Sequence, residues 1–464
     1  MKKILVVGGG PGGYVAAIKA AQMGAQAHIV ERREFGGTCL NVGCIPTKAL
    51  LRSALFYKHV KDGDVAGVKA ERVTLDWAEA QAHKQAVVNR LVGGVGGLLK
   101  ANKVAVHKGE AAFAAPGVVT VDGKAPPQLA NPDAVIVASG SVPAPLAFPG
   151  ADLPAVIDST GALALAKLPR SVCIVGGGVI GVEFASVFAS AGARVAIVEL
   201  LPEILPSVDA GIARMARVAL ERAGVRVLTG AKLAAVRQGG ADEASVEVEA
   251  GGGRLTLAAE KVLVGVGRKP DTAALALEKA GVGTVRGAIK VDGNFETGAR
   301  GVFAIGDCNA QVMLAHAASA QGEAAVEYIL TGRHHYDPRI IPSCIYTEPE
   351  IATVGLSLGQ ARAQGFDAVE GLFDLAGNGK AMIDGGGPGV VKVVADRRLG
   401  EVLGVHMIGP HVTEMIAEAV AVMEAEGLVE DLLRTVHPHP TVSEAVGEAA
   451  RAVFGNAIHW PPRS

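Results

Sequence analysis

Two of the five cysteines in this chain stand five positions apart, Cys39 and Cys44, in the segment GGTCLNVGCIPTKALL. On an ideal α-helix such residues have Cα atoms roughly 8.7 Å apart, beyond the ~7 Å limit for an undistorted disulfide. A bond between them therefore needs a bent or unwound turn, which Gly43 and Pro46 can supply. Because strained disulfides are easily reduced, the pattern predicts a redox-active pair.

Two other interpretations of the cysteine pair stay open at this stage. Cysteines frequently serve as small apolar residues of a core. A close pair can also supply half of a metal site, and His437 and His439, far along the chain, are the histidine pair that would have to complete it. We expect no metal at this pair.

The cysteine segment follows a glycine-rich motif that occurs twice in the chain. Each copy has three glycines in G-x-G-x-x-G spacing between a strand and a helix, then an acid at the end of a second strand. The members are Gly8, Gly10, Gly13 and Glu31 in the first copy, and Gly176, Gly178, Gly181 and Glu199 in the second. In a dinucleotide-binding turn the first glycine makes the turn, the second admits the pyrophosphate, and the third lets helix and strand pack closely. Two tight turns without any nucleotide are the plain alternative.

The acid of each copy indicates which nucleotide it accepts. A carboxylate at Glu199 would accept a hydrogen bond from a free ribose 2′-hydroxyl and repel a 2′-phosphate, and Leu200 and Leu201 follow it instead of arginines. The second copy is therefore predicted to bind NAD. The first copy is then free for FAD, because a dithiol and a nicotinamide need an intermediary between their two kinds of electron transfer.

The size and composition of the chain narrow its class. Its 464 residues suggest about three domains. With 44 Lys and Arg against 46 Asp and Glu, the formal net charge is -2, so nucleic acid is not an expected partner. The apolar run 4–7 is too short for a signal peptide, and no run approaches the length of a membrane span. We therefore expect a soluble, cytoplasmic protein that does not bind a membrane.

Taken together, the cysteine segment, the two glycine motifs and the C-terminal HPHPTVSEA resemble the FAD-dependent pyridine nucleotide–disulfide oxidoreductases. The resemblance covers essentially the whole chain, with GGVGGLLKANKV, VIVASGSVP, VGVGRKPDT, AIGDC, MLAHAASAQG and IPSCIYTEPEIATVG in family order. Within the family the chain is most similar to the members that oxidise protein-bound dihydrolipoamide and reduce NAD. One alternative is an NAD(P)H-dependent reductase of another small disulfide, of the glutathione-reductase kind. A flavin-binding electron carrier with an inert disulfide is the other.

The resemblance implies an α/β fold with two Rossmann-like dinucleotide-binding domains, one for FAD and one for NAD, and a C-terminal α+β dimerisation domain. The expected limits are 1–142 for the first part of the FAD domain, 143–268 for the NAD domain, 269–338 for a central segment that completes the FAD side, and 339–464 for the dimerisation domain. It also implies a homodimer whose substrate is a lipoylated E2 chain or a glycine-cleavage H-type protein.

By the same resemblance, Cys39 would be the thiol that meets the substrate and Cys44 the thiolate that lies against the flavin. Lys48 and Glu183 would form an ion pair near the flavin N5, and Asp307 in AIGDC would bind the FAD ribitol. On spacing alone, ordinary surface charges and a turn aspartate would explain these last three residues.

The C-terminal motif implies a general base, His439, oriented by Glu444, and in the family this histidine serves the active site of the other subunit. His437 is a second candidate. A base is needed because a thiol is a poor nucleophile until it becomes a thiolate. The letters TVSE also read as a capping box, with Thr441 at the N-cap and Glu444 at N3 of a helix that runs to about Phe454.

Overall fold

The structure is a computed structural model that describes residues 1–63, 67, 69–126, 129–240, 243–385 and 387–460. Up to residue 143 the elements are β1 (Lys3–Val7), α1 (Pro11–Gln22), β2 (Gln26–Glu31), α2 (Gly37–Val42), α3 (Cys44–Asp62), α4 (Trp77–Ala101), β3 (Ala105–Lys108), β4 (Ala111–Ala115), β5 (Val118–Val121), β6 (Ala134–Val137) and β7 (Ser141–Pro143). From there to residue 270 they are β8 (Val156–Ile157), α5 (Ser159–Leu163), β9 (Ser171–Val175), α6 (Val179–Ser190), β10 (Arg194–Val198), α7 (Ala210–Arg222), β11 (Arg226–Leu228), β12 (Lys232–Gln238), β13 (Ala244–Ala250), β14 (Gly253–Ala259), β15 (Lys261–Val264) and β16 (Arg268–Pro270). The remaining elements are β17 (Thr284–Val285), β18 (Ala288–Ile289), β19 (Val302–Ala304), α8 (Ala315–Thr331), β20 (Ser343–Ile345), β21 (Glu350–Gly355), α9 (Leu358–Ala363), β22 (Ala368–Asp374), α10 (Gly379–Ile383), β23 (Val390–Asp396), β24 (Val402–Gly409), α11 (Val412–Glu424), α12 (Val429–Arg434) and α13 (Glu444–Val453).

The first sheet is parallel and has the strand order β19–β6–β1–β2–β3. Its central strands are continuous apolar runs, typical of a parallel sheet that is covered on both faces, and Ile4, Val6 and Ile136 are fully buried. Strand β19 joins this sheet although it follows β8–β16 in the chain. The chain therefore leaves the first sheet, builds a second one and returns.

The second sheet repeats this arrangement with the strand order β11–β10–β9–β15–β8, all parallel. An antiparallel meander of β12, β13 and β14 lies against it through a shared apolar core. In both sheets a glycine turn leaves the carboxyl end of a strand, β1 in the first and β9 in the second. This edge of an open α/β sheet is where ligands bind.

The C-terminal part is a five-stranded antiparallel sheet with the order β20–β21–β24–β23–β22. Helices α11 and α13 pack on it through buried apolar side chains. The predicted fold class is thus confirmed, with two Rossmann-like units followed by an α+β unit. No helix in the described ranges is both long and apolar enough to cross a membrane.

Candidate active site

The cysteine segment forms two helices with a break between them. Helix α2 ends at Val42 and α3 begins at Cys44, while Gly43 has φ −145° and ψ −114°. A Cβ on Gly43 would lie 2.8 Å from the carbonyl oxygen of Thr38, so a larger residue cannot occupy the break without displacing backbone. The unwound turn predicted from the 39–44 spacing is present.

Both thiols of the pair are free, and each is hydrogen-bonded to the other. The Cys39 thiol is the main cause that lowers the pKa of Cys44 to about 7, and the Lys48 ammonium lowers it further, against burial and Glu183. The same bond, together with burial, raises the pKa of Cys39. Cys44 is therefore the thiolate of the pair, and its ionised fraction grows as the pH rises through about 7.

The ion pair of Lys48 and Glu183 is formed. The Lys48 Nζ donates to both carboxylate oxygens, at 2.7 and 2.6 Å, and the Glu183 side chain is only 7% exposed. Helices α3 and α6, which carry the two residues, pack against each other in the core between the sheets. Tyr346 completes the arrangement, since its backbone N–H donates to Glu183 Oε1 at 3.0 Å and its ring centroid lies 4.8 Å from Lys48 Nζ.

Asp307 lies in a 3₁₀ turn directly after β19, where its carboxylate accepts a hydrogen bond from the Ser141 hydroxyl. The Arg268 guanidinium donates to the Ser141 hydroxyl at 2.7 Å and its carbonyl at 2.6 Å, and reaches the Thr38 hydroxyl at 3.3 Å. Burial lowers the pKa of Arg268, against the nearby charges of Asp307 and Cys44. Arg268 thus connects the neighbour of Cys39 with the turn of Asp307.

The glycine turns have the geometry that the motif requires. The first glycine of each copy has a positive φ, 107° at Gly8 and 110° at Gly176, a conformation that favours glycine. At the third position, a Cβ on Gly13 or Gly181 would lie 1.8 or 1.9 Å from the carbonyl oxygen of the first glycine. At the second position of each copy a Cβ would meet no atom closer than 3.9 Å, so the backbone stays open to an approaching group.

The two acids bind backbone in the same way, which sequence reasoning did not foresee. Each lies 8% exposed, and one carboxylate oxygen accepts from the N–H of the middle residue of GGG, at 2.6 Å. The other oxygen accepts from the N–H two residues after the acid, Arg33 for Glu31 and Leu201 for Glu199. The carboxylates are therefore held beside the turns before any ribose arrives.

One cavity of about 1580 Å³ brings most of the predicted residues together. Its lining includes both cysteines, the ion pair, both acids, Asp307 and the first two glycines of each copy: Gly8, Gly10, Glu31, Cys39, Cys44, Lys48, Gly176, Gly178, Glu183, Glu199 and Asp307. The third glycines are packed beneath the turns. His439 and Glu444 are not part of the lining.

His439 lies on the surface of the C-terminal unit, with 80% of its side chain exposed. Its Nδ1 shares a 3.0 Å hydrogen bond with Glu444 Oε1, whose partner oxygen accepts from the N–H of Thr441 at 2.9 Å. His437, by contrast, is nearly buried, and its Nε2 shares a 2.8 Å hydrogen bond with Glu418 Oε1. This hydrogen bond is the main cause that raises the pKa of His437. Of the two histidines, His439 is the one that faces outward with an oriented ring.

The predicted capping box is only half right. The helix starts at Glu444, with Ser443 at the N-cap, so Glu444 occupies N1 and not N3. The Thr441 hydroxyl donates to the carbonyl of Pro438 instead of receiving a helix N–H. The prediction failed because the turn at 442–443 delays the helix, which leaves Glu444 free to hold His439.

The cavity residues fit two dinucleotides. The N-cap residues of helices α1 and α6 are Gly10 and Gly178, which provide no side-chain cap, so the first N–H groups of these helices have no capping side chain at the cavity edge. Unpaired N–H groups at a helix N-terminus bind phosphate oxygens. Within the described part of the chain, no group of three or more His, Cys, Asp or Glu side chains is placed to hold a metal ion.

Comparison with known proteins identifies the family. The model of the pyridine nucleotide-disulphide oxidoreductases matches residues 2–322, and that of their dimerisation domain matches 341–450. The chain therefore belongs to the pyridine nucleotide-disulphide oxidoreductase family. A dihydrolipoyl dehydrogenase of Bacillus subtilis is 41% identical over 98% of this chain and 99% of its own length.

Two solved structures share the fold over nearly the whole chain. LpdA of Mycobacterium tuberculosis has a TM-score of 0.88 and 26% identity, covering 97% of this chain and 99% of that one. The HOCl-induced flavoprotein disulfide reductase RclA of Escherichia coli has a TM-score of 0.85 and 28% identity, covering 97% and 100%. FAD and NAD, the cofactors predicted for the two glycine motifs, are those of this family.

Proposed function

We propose that this protein oxidises a protein-bound dihydrolipoyl group to lipoyl and reduces NAD, with FAD as its resident cofactor. The observation that carries this proposal is the unequal thiol pair beside a partly buried ion pair, in a cavity that joins two dinucleotide turns. The relatives named dihydrolipoyl dehydrogenase support the choice of substrate.

The chemistry assigned to the cysteines balances in two steps. His439 removes a proton from the substrate dithiol, and the resulting thiolate attacks Cys39 in the Cys39–Cys44 disulfide, releasing Cys44 as a thiolate. The second substrate sulfur then attacks the first, closing the lipoyl ring and releasing Cys39 as a thiol with the remaining proton. The substrate has lost two electrons and the cysteine pair has gained them. When bound, FAD carries those two electrons from the pair to NAD.

The other side chains of the cavity bind and orient. We assign Gly8, Gly10, Gly13, Glu31, Lys48 and Asp307 to FAD, and Gly176, Gly178, Gly181 and Glu199 to NAD. The Lys48 ammonium lies close to Cys44 and favours its thiolate, while Glu183 binds that ammonium. We propose that the domains which carry out these functions have the limits 1–142, 143–268, 269–338 and 339–464.

The protein is proposed to act as a homodimer, which the match to the dimerisation domain supports. The exposure of His439 and its position outside the cavity lining agree with a base that serves the partner subunit. The substrate would be a lipoylated E2 chain or a glycine-cleavage H-type protein. We further propose a cytoplasmic location, since reducing compartments suit a cysteine pair that cycles.

The proposal predicts a strong preference for NAD over NADP. A 2′-phosphate placed near the Glu199 carboxylate is repelled, so kcat/KM with dihydrolipoamide should be at least about 100-fold higher for NAD. Steady-state assays with both nucleotides measure this ratio. A higher rate with NADP, or NADPH-dependent reduction of glutathione disulfide without lipoamide activity, would favour the rival reductase.

A further inference from the structure

Tyr346, directly after β20, reaches from the C-terminal unit to both members of the ion pair next to Cys44. Its backbone N–H donates to Glu183 Oε1 at 3.0 Å, and its ring centroid lies 4.8 Å from Lys48 Nζ. An ammonium within about 6 Å of an aromatic centroid is attracted by the ring quadrupole. One residue therefore binds the carboxylate through its backbone and the ammonium through its ring.

The position of Tyr346 is fixed on both sides along the chain. Its neighbours Ile345 and Thr347 are buried, at 1% and 6% exposure. Glu348 accepts a hydrogen bond from Lys58 at 2.7 Å and also pairs with His59, both on α3. The loop after β20 is thus attached to the helix that starts at Cys44.

We propose that Tyr346 is a positioning residue of the reaction, whose ring fixes the Lys48 ammonium where it stabilises the Cys44 thiolate. The inference rests on the proposed function, because that function assigns the thiolate its role. It adds that the C-terminal unit supplies a part of the redox centre within the same subunit.

Because charges of both signs surround Cys44, the position of the Lys48 ammonium determines how strongly the Cys44 thiolate is stabilised. The groups that face this thiol are Cys39 on α2, Lys48 on α3, Glu183 on α6 and Arg268 on β16. Lys48 lowers the pKa of Cys44 while Glu183 raises it, so the balance depends on which of the two lies closer. A ring that holds the ammonium in place keeps this balance in favour of the thiolate.

We expect the aromatic ring of Tyr346, and not its hydroxyl, to hold the Lys48 ammonium in place. Burial is the first cause that raises the pKa of Tyr346, followed by the nearby acidic groups Cys344, Glu350, Glu414 and Glu183. The phenol is therefore neutral in the working range. Its oxygen takes no part in the contacts with Lys48 and Glu183 described above, so phenylalanine should replace it.

The test uses holoenzyme that carries Cys39→Ser, in which Cys44 is the one thiol of the pair and no disulfide can form. The long-wavelength absorbance of a thiolate next to the flavin is titrated against pH, with Tyr, Phe, trifluorophenylalanine, pentafluorophenylalanine or Leu at position 346. Fluorination keeps the ring's shape and weakens its quadrupole, so it separates electrostatics from packing.

We expect Tyr346→Phe to titrate like the parent, and Tyr346→Leu to raise the midpoint by about half a unit to one unit. The fluorinated rings should raise it progressively, and Tyr346→Leu should add nothing in a Lys48→Met background. A midpoint that stays constant through pentafluorophenylalanine would overturn the inference, even if the leucine variant fails to bind FAD. Absence of the band at every pH in the parent would instead contradict the proposed function.

Discussion

Replacing Cys44 by serine should lower the oxidation of dihydrolipoamide by NAD at least about a thousandfold, while FAD remains bound. Serine has nearly the same shape as cysteine, but its hydroxyl cannot form the disulfide that accepts the substrate's electrons. It also does not ionise near pH 7, where Cys44 does. Steady-state NADH formation, together with the flavin absorbance of the purified variant, measures both parts of this expectation.

Two further variants show whether the loss is specific. Cys39→Ser should also stop turnover but keep the long-wavelength thiolate band, because Cys44 is still present. Cys173→Ala removes a buried thiol of β9, whose pKa burial raises to about 12, and should leave the rate unchanged. If Cys44→Ser turned over lipoamide like the parent protein, the pair would not be the redox centre.

Replacing His439 by glutamine should lower kcat by about 10²–10⁴-fold, the usual contribution of a general base. Glutamine can still share a hydrogen bond with Glu444 but cannot take a proton from the substrate thiol. His437→Gln is the matched control, since His437 lies in the same motif but is nearly buried against Glu418. An equal decrease of kcat in the two variants would mean that a disturbed structure of the loop that carries both histidines, and not the loss of a general base, lowers the rate.

A mixed dimer tests whether His439 acts across the subunit interface. In a heterodimer of Cys44→Ser and His439→Gln chains, one site would combine intact cysteines with the intact histidine of the other chain. Co-expression with two different tags would give such heterodimers, and about half of the parental activity per dimer is expected. If His439 served its own subunit, both active sites of that heterodimer would be inactive, because each chain lacks either Cys44 or His439.

Much of the redox centre followed from local sequence, because the relevant geometry is short-range. Two cysteines five positions apart on a continuous helix cannot form an undistorted disulfide, so a break near Gly43 was expected. The helix is interrupted at Gly43. The glycine turns are equally local, since the bulk of a Cβ alone decides what fits at Gly13 and Gly181. The alternation of strands and helices was enough to give the class of fold.

The parts that escaped sequence reasoning depend on contacts between distant segments. Arg268 is separated by 230 positions from Thr38 and by 127 from Ser141. No local sequence pattern predicts a hydrogen bond between residues so far apart in the chain. Tyr346 likewise meets Glu183 over 163 positions. The segments VGVGRKPDT and IPSCIYTEPEIATVG carried the family resemblance without indicating what these side chains contact.

The most direct test of electron transfer through Cys39 and Cys44 is an anaerobic reaction of the purified flavoprotein with dihydrolipoamide, followed by NAD. We expect a long-wavelength thiolate–flavin band on the first addition, then NADH formation and return of the oxidised flavin spectrum on the second. A flavin spectrum that dihydrolipoamide leaves unchanged would contradict the role of Cys39 and Cys44 as the path from this dithiol to the flavin.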